Sequence, residues 1–249
     1  MTTHNMLIAP DFSPERFAGW HMFNTLIQKR ANLNMHLNIP TSHAEQETVI
    51  SEGDIQVIYA NPFDAATLIR EHGYHAVARP IGKSDEMVIA AAANSDINSL
   101  DDIKAGATIA MANNRDVKLI GLRLLEAVDI EEADLNWSVT ETYQAAARQV
   151  IKGDAQAAFF LAEIFHSFSR LTKAQLSVLI ESDLADISHV LLIKDGFPDT
   201  DILMDAILNL HNDDDGKEAL TELGMPQGFE AMNEEDAEFM IDLMQTLLD

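Results

Sequence analysis

The chain has 249 residues, of which 47% are hydrophobic and 23% are charged, and this balance excludes disordered, collagen-like and fibrous proteins. Acidic residues outnumber basic ones 41 to 16, so the formal charge is -25, and a surface this negative repels nucleic acids and anionic membranes. The chain has no cysteine, which excludes disulfides, thiolate metal sites and a cysteine nucleophile.

The hydropathy of the chain indicates whether it enters a membrane, and its first residues indicate whether it carries a secretory signal. The apolar run at residues 87–93 is far shorter than the roughly 18 residues of a membrane helix, so no membrane insertion is expected. Residues 1–5 show neither the basic nor the apolar region of a secretory signal. We therefore expect a cytoplasmic location, with the periplasm as the alternative if a signal has been removed. Residues 195–249 hold 16 acids and one base, which indicates a solvated acidic face on C-terminal helices.

Strand and helix patterns alternate along the first third of the chain. An apolar run at residues 6–9 precedes apolar positions at helical spacing from Phe17 to Ile27. Further strands are predicted at residues 35–39, 55–59 and 75–81, and further helices at residues 41–51 and 63–72. This alternation predicts a parallel sheet that is covered by helices.

The pattern starts again at Glu86. Strands are predicted at residues 87–93, 108–112, 136–139, 157–160, 176–180 and 188–193, and helices at residues 100–104, 117–128 and 141–152. After Pro198 a helical remainder is predicted. Residues 51–59 match residues 151–159 in type and order, with Gly-Asp between a helix and a strand in each copy. Two α/β lobes built on one plan indicate a ligand bound between them.

Four segments of the sequence resemble a known family. They are residues 9–15 (APDFSPE), 53–63 (GDIQVIYANPF), 100–110 (LDDIKAGATIA) and 145–158. In these segments the chain is similar to the phosphate/phosphite/phosphonate-type (PhnD-like) substrate-binding proteins of ABC importers. The resemblance implies a type 2 periplasmic-binding-protein fold, in which two α/β lobes are joined by two crossing strands and close by hinge motion. It places one lobe at residues 1–84 and 188–249 and the other at residues 85–187, with the crossings near residues 84–87 and 186–188.

The ligand is expected beyond the carboxyl ends of the strands, where helix starts offer N–H groups. The resemblance assigns the oxyanion of the ligand to the helix start at residues 113–116, although the small hydroxyl residues of the family are missing there. Counting from Gly153, it assigns the amine of an aminophosphonate to Glu163. The candidate ligand-binding residues are Asp11, Phe12, Asn61, Asn113, Asn114, Arg115, Tyr143 and Glu163.

Five of these candidates also have a structural interpretation. Asn113 and Asn114 are favoured helix caps whatever the function, and Arg115 then points to solvent. A lone Tyr near a helix start, such as Tyr143, is more often a half-buried packing residue. Glu163 is equally explained by the preference for acids at helix starts. Gln56 and Gln156 stand where many relatives have Asp, so the resemblance transfers the fold better than the identity of the ligand.

No catalytic motif accompanies these features. The sequence lacks a nucleophile elbow, a P-loop, a zinc-protease motif and a dinucleotide fingerprint, so we expect no catalytic residue, no cofactor and no metal. The close pair His72 and His75 straddles Gly73 at a predicted helix end, which disfavours a metal site. The predicted function is binding of a small polar ligand by a monomer that serves an ABC permease or a sensor protein. The alternative is a cytoplasmic enzyme on the same fold, with Glu163 or His166 as the proton-transfer group.

Overall fold

The computed structural model describes residues 3–10, 16–183 and 187–248. Contacts between Cα atoms divide the chain into two compact units. Unit 1 comprises Met1–Lys83 and Ser188–Gln245, and unit 2 comprises Ser84–Ile187 and Thr246–Asp249. The candidate residues Asp11 and Phe12 lie outside the described residues.

Strands and helices alternate along the described part of the chain. The strands are β1 (Thr3–Ile8), β2 (Asn34–Asn38), β3 (Val57–Ala60), β4 (Tyr74–Pro80), β5 (Met87–Ala92), β6 (Thr108–Ala112), β7 (Asn136–Thr140), β8 (Ala157–Leu161), β9 (Leu176–Glu181), β10 (Val190–Lys194) and β11 (Phe229–Ala231). The helices are α1 (Phe17–Ala31), α2 (His43–Glu52), α3 (Pro62–Glu71), α4 (Arg115–Glu126), α5 (Tyr143–Lys152), α6 (Ala162–Ser167), α7 (Arg170–Lys173), α8 (Thr200–Leu208), α9 (Asp214–Glu222) and α10 (Glu234–Leu248).

Each unit contains one mixed sheet, so the expectation of a purely parallel core was wrong. In unit 1 the strand order is β11-β4-β10-β3-β1-β2, and β10 runs antiparallel to both β3 and β4. In unit 2 the order is β7-β6-β8-β5-β9, and β5 runs antiparallel to both β8 and β9. β5 and β10 are the first strands after the chain changes unit. No helical crossover within the unit leads into them, so nothing imposes the parallel direction that such a crossover brings.

The part of the chain after Pro198 also departs from the prediction. It is mostly helical, but the three-residue strand β11 pairs antiparallel with the end of β4. Three residues are too few to show the alternation of apolar and polar side chains by which a strand is identified in a sequence.

Helices cover both faces of the unit 1 sheet. On one face, Trp20 and Phe23 of α1 pack with Tyr59 of β3 in a cluster that also contains Leu203 of α8 and Leu220 of α9. On the other face, residues of α3 and α10 pack against β3, β4 and β10. In unit 2 all six residues of β5 are buried, as expected for a central strand that is covered on both faces.

The two segments at which the chain changes unit are hydrogen-bonded to each other. The N–H of Asp85 donates to the carbonyl of Ile187 at 2.7 Å, and the N–H of Ser182 donates to the carbonyl of Met87 at 2.9 Å. Asp186, at the predicted second crossing, is outside the described residues. Of the helices within the described ranges, none is both long enough and apolar enough to span a membrane.

Candidate functional site

The carboxyl ends of three neighbouring strands meet at one edge of the unit 2 sheet. β6 lies between β7 and β8 and is parallel to both, with Ala112 opposite Thr140 and Met111 opposite Phe159. The turns after these strands therefore lie at the same edge. They carry five of the predicted site residues: Asn113, Asn114, Arg115, Tyr143 and Glu163.

The start of α4 follows the end of β6 after a two-residue turn. Asn114 is the N-cap of α4, and its Oδ1 accepts a hydrogen bond from the N–H of Val117 at 3.0 Å. Asn113 and Arg115 are exposed on either side of this cap. A helix start leaves N–H groups outside the helical hydrogen-bond pattern and carries a partial positive charge. The turn therefore has the donors and the field that favour an anion.

Asp116 belongs to the helix start at residues 113–116 that was predicted from the sequence, but its burial was not predicted. It lies in the first turn of α4 and is only 4% exposed. The signal in the sequence is weak, because acids are common in first turns for reasons of helix stability alone. Asp116 thus places a buried carboxyl group in the turn that is predicted to hold an oxyanion, next in sequence to the cationic Arg115.

Tyr143 is the first residue of α5. The helix is capped by Thr142, whose hydroxyl accepts a hydrogen bond from the N–H of Ala145 at 3.1 Å. The Tyr143 ring lies 6.4 Å from the ring of Phe160 and packs against the apolar cluster of unit 2. Tyr143 thus has the packing role that the sequence left open, in addition to its place at the edge.

Glu163 is exposed in the first turn of α6, directly after β8. The turn is fixed to the start of β5, because the N–H of Ala162 donates to the carbonyl of Glu86 at 2.8 Å. The carboxylate of Glu181, the last residue of β9, is held by His166 of α6, with Nε2 and Oε1 2.7 Å apart. The edge of unit 2 therefore presents donors at α4 and a carboxylate at α6.

Unit 1 has its own edge, formed by the carboxyl ends of the parallel strands β1, β2 and β3. Asn61 follows β3 and is fully buried. Its Oδ1 accepts from the N–H of Asp64 at 2.8 Å, and its Nδ2 donates to Oδ2 of Asp64 at 3.0 Å. Asn61 therefore caps α3 and holds the carboxylate of Asp64 in place.

Two residues that the sequence analysis did not select complete this group at the unit 1 edge. Gln46 of α2 is 4% exposed, and its Nε2 donates to Oδ2 of Asp64 at 2.6 Å. His43, at the start of α2, places Nδ1 3.8 Å from the same oxygen. The capping pair Asn61 and Asp64 is visible in the sequence as Asn-x-x-Asp. The burial of Gln46 is not visible, because a polar residue in a short helix gives no sign of which face it occupies.

Glu45 belongs to the same helix start. Its Oε2 accepts hydrogen bonds from the backbone N–H and the hydroxyl of Thr41, at 2.8 Å and 2.7 Å. These donors stabilise the ionised form and lower the pKa of Glu45.

Within the described ranges, no group of three or more His, Cys, Asp or Glu side chains is placed to hold a metal ion. His75, one of the two closely spaced histidines noted in the sequence, places its Nδ1 3.1 Å from Oδ1 of Asp195.

Several solved structures have the same fold as this chain. XAC2383 from Xanthomonas citri bound to ATP matches with a TM-score of 0.81 and 12% identity, over 100% of this chain and 99% of that one. PhnD1 from Prochlorococcus marinus in complex with methylphosphonate matches with a TM-score of 0.79 and 14% identity, over 99% and 98%. The periplasmic aliphatic sulphonate binding protein SsuA from Escherichia coli matches with a TM-score of 0.67 and 13% identity, over 98% and 87%. These similarities confirm the predicted two-lobed, type 2 periplasmic-binding-protein fold class.

Comparison with protein families identifies the chain more closely than the fold does. A search of curated proteins gives no match. The family model for the phosphonate periplasmic substrate-binding proteins of ABC transporters matches residues 6–237, which is nearly the whole chain. The match confirms the resemblance seen in the sequence and with it the solute-binding function. The chain belongs to the family of phosphonate-type periplasmic substrate-binding proteins of ABC transporters.

Proposed function

We propose that the protein binds a small ligand with a tetrahedral oxyanion of the phosphonate type and presents it to an ABC permease. The observation that carries this proposal is the convergence of three strand ends, one followed by the capped start of α4, at one edge of unit 2. The compounds named with the similar structures support it, since ATP, methylphosphonate and sulphonates all carry tetrahedral oxyanions.

In this proposal the oxyanion is bound at the start of α4. Asn113 and Asn114 offer amide N–H groups, and Arg115 offers a guanidinium that pairs with two oxygens at once. Oδ1 of Asn114 is already used by Val117, so Asn114 contributes to the ligand through its Nδ2. Glu163 binds an amine at the other end of the ligand. A zwitterion such as an aminophosphonate therefore fits both ends.

Tyr143, at the same edge of unit 2, offers a ring that is fixed by packing on Phe160. Asn61 belongs to unit 1, where it is fully buried and its side chain caps α3 and holds Asp64. Asp11, Phe12 and Asn61 therefore stay ligand-binding predictions on the basis of the sequence alone.

Isothermal titration calorimetry with matched compounds tests the proposed function. The panel is methylphosphonate, 2-aminoethylphosphonate, methanesulfonate and acetate, each titrated into the full chain. We expect saturable binding of the phosphonates, with 2-aminoethylphosphonate binding most tightly, and weaker binding or none of acetate. If acetate binds as tightly as methylphosphonate, or if neither phosphonate binds, the proposal is wrong.

Location, closure and partners are the finer part of the proposal. Membership of a periplasmic family favours the periplasm, which was the alternative location predicted from the sequence, and it favours transport over the enzymatic alternative.

Hinge closure stays a prediction. Saturating 2-aminoethylphosphonate should lower the radius of gyration measured by small-angle scattering, and an unchanged radius would contradict it. The monomeric state and a sensor partner also stay predictions.

A further inference from the structure

Unit 1 contains a cavity that the proposed function does not use. Its volume is about 650 Å³, which is in the range of sites for small organic molecules. Apolar residues that are each between 4% and 9% exposed form its floor: Tyr74, Ala76, Val77, Met232, Ala237 and Ile241. It lies along the first half of β4, whereas Asn61 and the unit 1 edge follow the carboxyl end of β3.

The cavity lies beside the part of β4 that β11 leaves unpaired. β11 pairs only with residues 78–80 of β4, and the N–H of Met232 then donates to the carbonyl of Val77 at 2.9 Å. The chain turns away at Asn233, whose Oδ1 accepts from the N–H of Asp236 at 2.8 Å, and enters α10. On this side of β4 no strand of the described part of the chain pairs with residues 74–76. Side chains of α10 line the space in place of a strand.

The rim of the cavity carries two carboxylates. Glu234 and Glu238 are four residues apart on α10, so they lie on the same face of the helix, and both are exposed lining residues. Over the described ranges neither carboxylate has an ion pair or a side-chain hydrogen bond. Two like charges one turn apart destabilise a helix slightly, and a bound cation would relieve that repulsion.

The nearby basic groups do not neutralise these carboxylates. His75, which itself lines the cavity, faces Asp195 at 3.1 Å, and Arg70 faces Asp242 at 3.8 Å. Lys194 donates to the carbonyl of His72 at 2.9 Å, and its Nζ lies 4.6 Å from the centre of the Tyr74 ring. The three basic residues thus have other contacts, so the rim keeps its negative charge.

We propose that this cavity is a second binding site, which takes a small organic cation with an apolar body. The apolar body covers the floor at Ala76, Val77 and Met232, and the ammonium group lies between the carboxylates of Glu234 and Glu238. Burial of an apolar body supplies affinity in proportion to the area removed from water, and the two carboxylates select the charge. The site does not depend on the proposed function, because it shares no residue with it.

Three indole compounds of similar size and different charge test this site. Tryptamine is a cation, tryptophol is neutral and indole-3-acetate is an anion. Each is titrated by calorimetry into the full chain at pH 7. We expect saturable binding of tryptamine that is at least about fivefold tighter than that of tryptophol, which is about 1 kcal/mol, and no binding of indole-3-acetate.

Two double variants with the same change of charge locate the site. Glu234→Gln with Glu238→Gln removes the rim carboxylates, whereas Glu235→Gln with Asp236→Asn removes two charges of the same helix that do not line the cavity. The first variant should bind tryptamine at least about fivefold more weakly than the original chain and bind tryptophol with unchanged affinity. The second variant should bind tryptamine as tightly as the original chain does. Circular dichroism checks that both are folded.

Three results would overturn the proposal. Equal binding of tryptamine and tryptophol would mean that the carboxylates do not select the charge. An equal loss in both variants would mean that only the overall charge matters. No saturable binding of tryptamine in the millimolar range would remove the site. Methylphosphonate, titrated into the same samples, keeps its affinity in both variants, so failure here is distinguishable from failure of the proposed function.

Discussion

Gln56 and Gln156 make the same pair of hydrogen bonds in the two units. The N–H of Gln56 donates to the carbonyl of Asn5 at 3.0 Å, and its Oε1 accepts from the N–H of Asn5 at 2.7 Å. The N–H of Gln156 donates to the carbonyl of Thr108 at 2.9 Å, and its Oε1 accepts from the N–H of Thr108 at 2.8 Å. Each glutamine therefore fastens the start of a strand to its parallel neighbour. The repeated Gly-Asp-x-Gln segment thus has the same structural role in both units.

This pairing predicts matched losses of stability. Gln56→Ala should lower the free energy of unfolding by about 1 kcal/mol, because the N–H of Asn5 loses its acceptor in a partly buried position. Gln156→Ala should cost less, since that bond is exposed. Urea unfolding measures both losses. Gln56→Glu, which keeps an acceptor oxygen, is the control, and an alanine variant at Gln56 as stable as the original chain would contradict this role.

Arg115→Ala should weaken binding of methylphosphonate by about 10-fold to 150-fold, which is the roughly 1.5 to 3 kcal/mol of a hydrogen bond to a charged group. The melting temperature should hardly change, because Arg115 is exposed. Arg123→Ala, on the same helix and paired with Glu126 at 2.9 Å, is the matched control and should leave the affinity unchanged. Equal affinities for both variants would place the oxyanion elsewhere.

Asn114→Ala separates capping from ligand binding. Loss of the bond from Val117 to Oδ1 should lower the free energy of unfolding by about 1 kcal/mol without any ligand. Asn114→Asp keeps the cap and loses the amide N–H groups, so it should restore stability and still bind methylphosphonate weakly. If the aspartate variant binds methylphosphonate as well as the original chain, Asn114 is a cap and no more.

Glu163→Gln tests the cationic end of the ligand. A carboxylate stabilises an ammonium group and repels an oxyanion, so the variant should bind 2-aminoethylphosphonate less tightly and methylphosphonate equally or more tightly. Glu181→Gln removes a carboxylate of the same unit that is held by His166, and both affinities should stay the same. An equal loss of affinity for both ligands in Glu163→Gln would show that Glu163 does not select for the amine of 2-aminoethylphosphonate.

Alkaline pH should destabilise unit 1 through Tyr74. Burial first, and the negative charge of Asp54 second, raise the pKa of Tyr74 from 10.0 to about 12. The folded chain then holds this proton more tightly than the unfolded chain, so the stabilisation is present below about pH 10 and is lost as the pH rises toward 12. In Tyr74→Phe this part of the pH dependence should disappear, although the bond from the hydroxyl to the carbonyl of Ile55 is lost at every pH. Unfolding curves between pH 9 and 11 that fall equally in both chains would contradict the assignment.

The sequence predicts the positions of most elements because their apolar periods are clear. β6 is found at the predicted residues, and the capped start of α4 follows from Asn113 and Asn114. The direction of β5 and β10 was not predictable, because a buried strand has the same pattern whichever way it runs. The family was recognisable because four short segments of the sequence resemble it, and the family model confirms this resemblance.

The candidate site was predictable as a set of loops, but not in its details. The rule that ligands bind beyond strand carboxyl ends selects five residues that the structure brings to one edge of the unit 2 sheet. It does not reveal that Asp116 is buried in the first turn of α4, or that Gln46 holds Asp64 at the unit 1 edge. Both features depend on which side of a helix faces the sheet, and the sequence pattern of these helices does not indicate that side.

Binding of the oxyanion at the start of α4 can be observed directly at the backbone amides of that helix start. Methylphosphonate is titrated into the full chain labelled with ¹⁵N and ²H, and amide chemical shifts are recorded by nuclear magnetic resonance. Saturation should produce its largest amide shifts at residues 113–117, because donors at a helix start meet the oxyanion directly. Saturable binding that leaves the amides of residues 113–117 unchanged and shifts others would contradict that placement of the oxyanion.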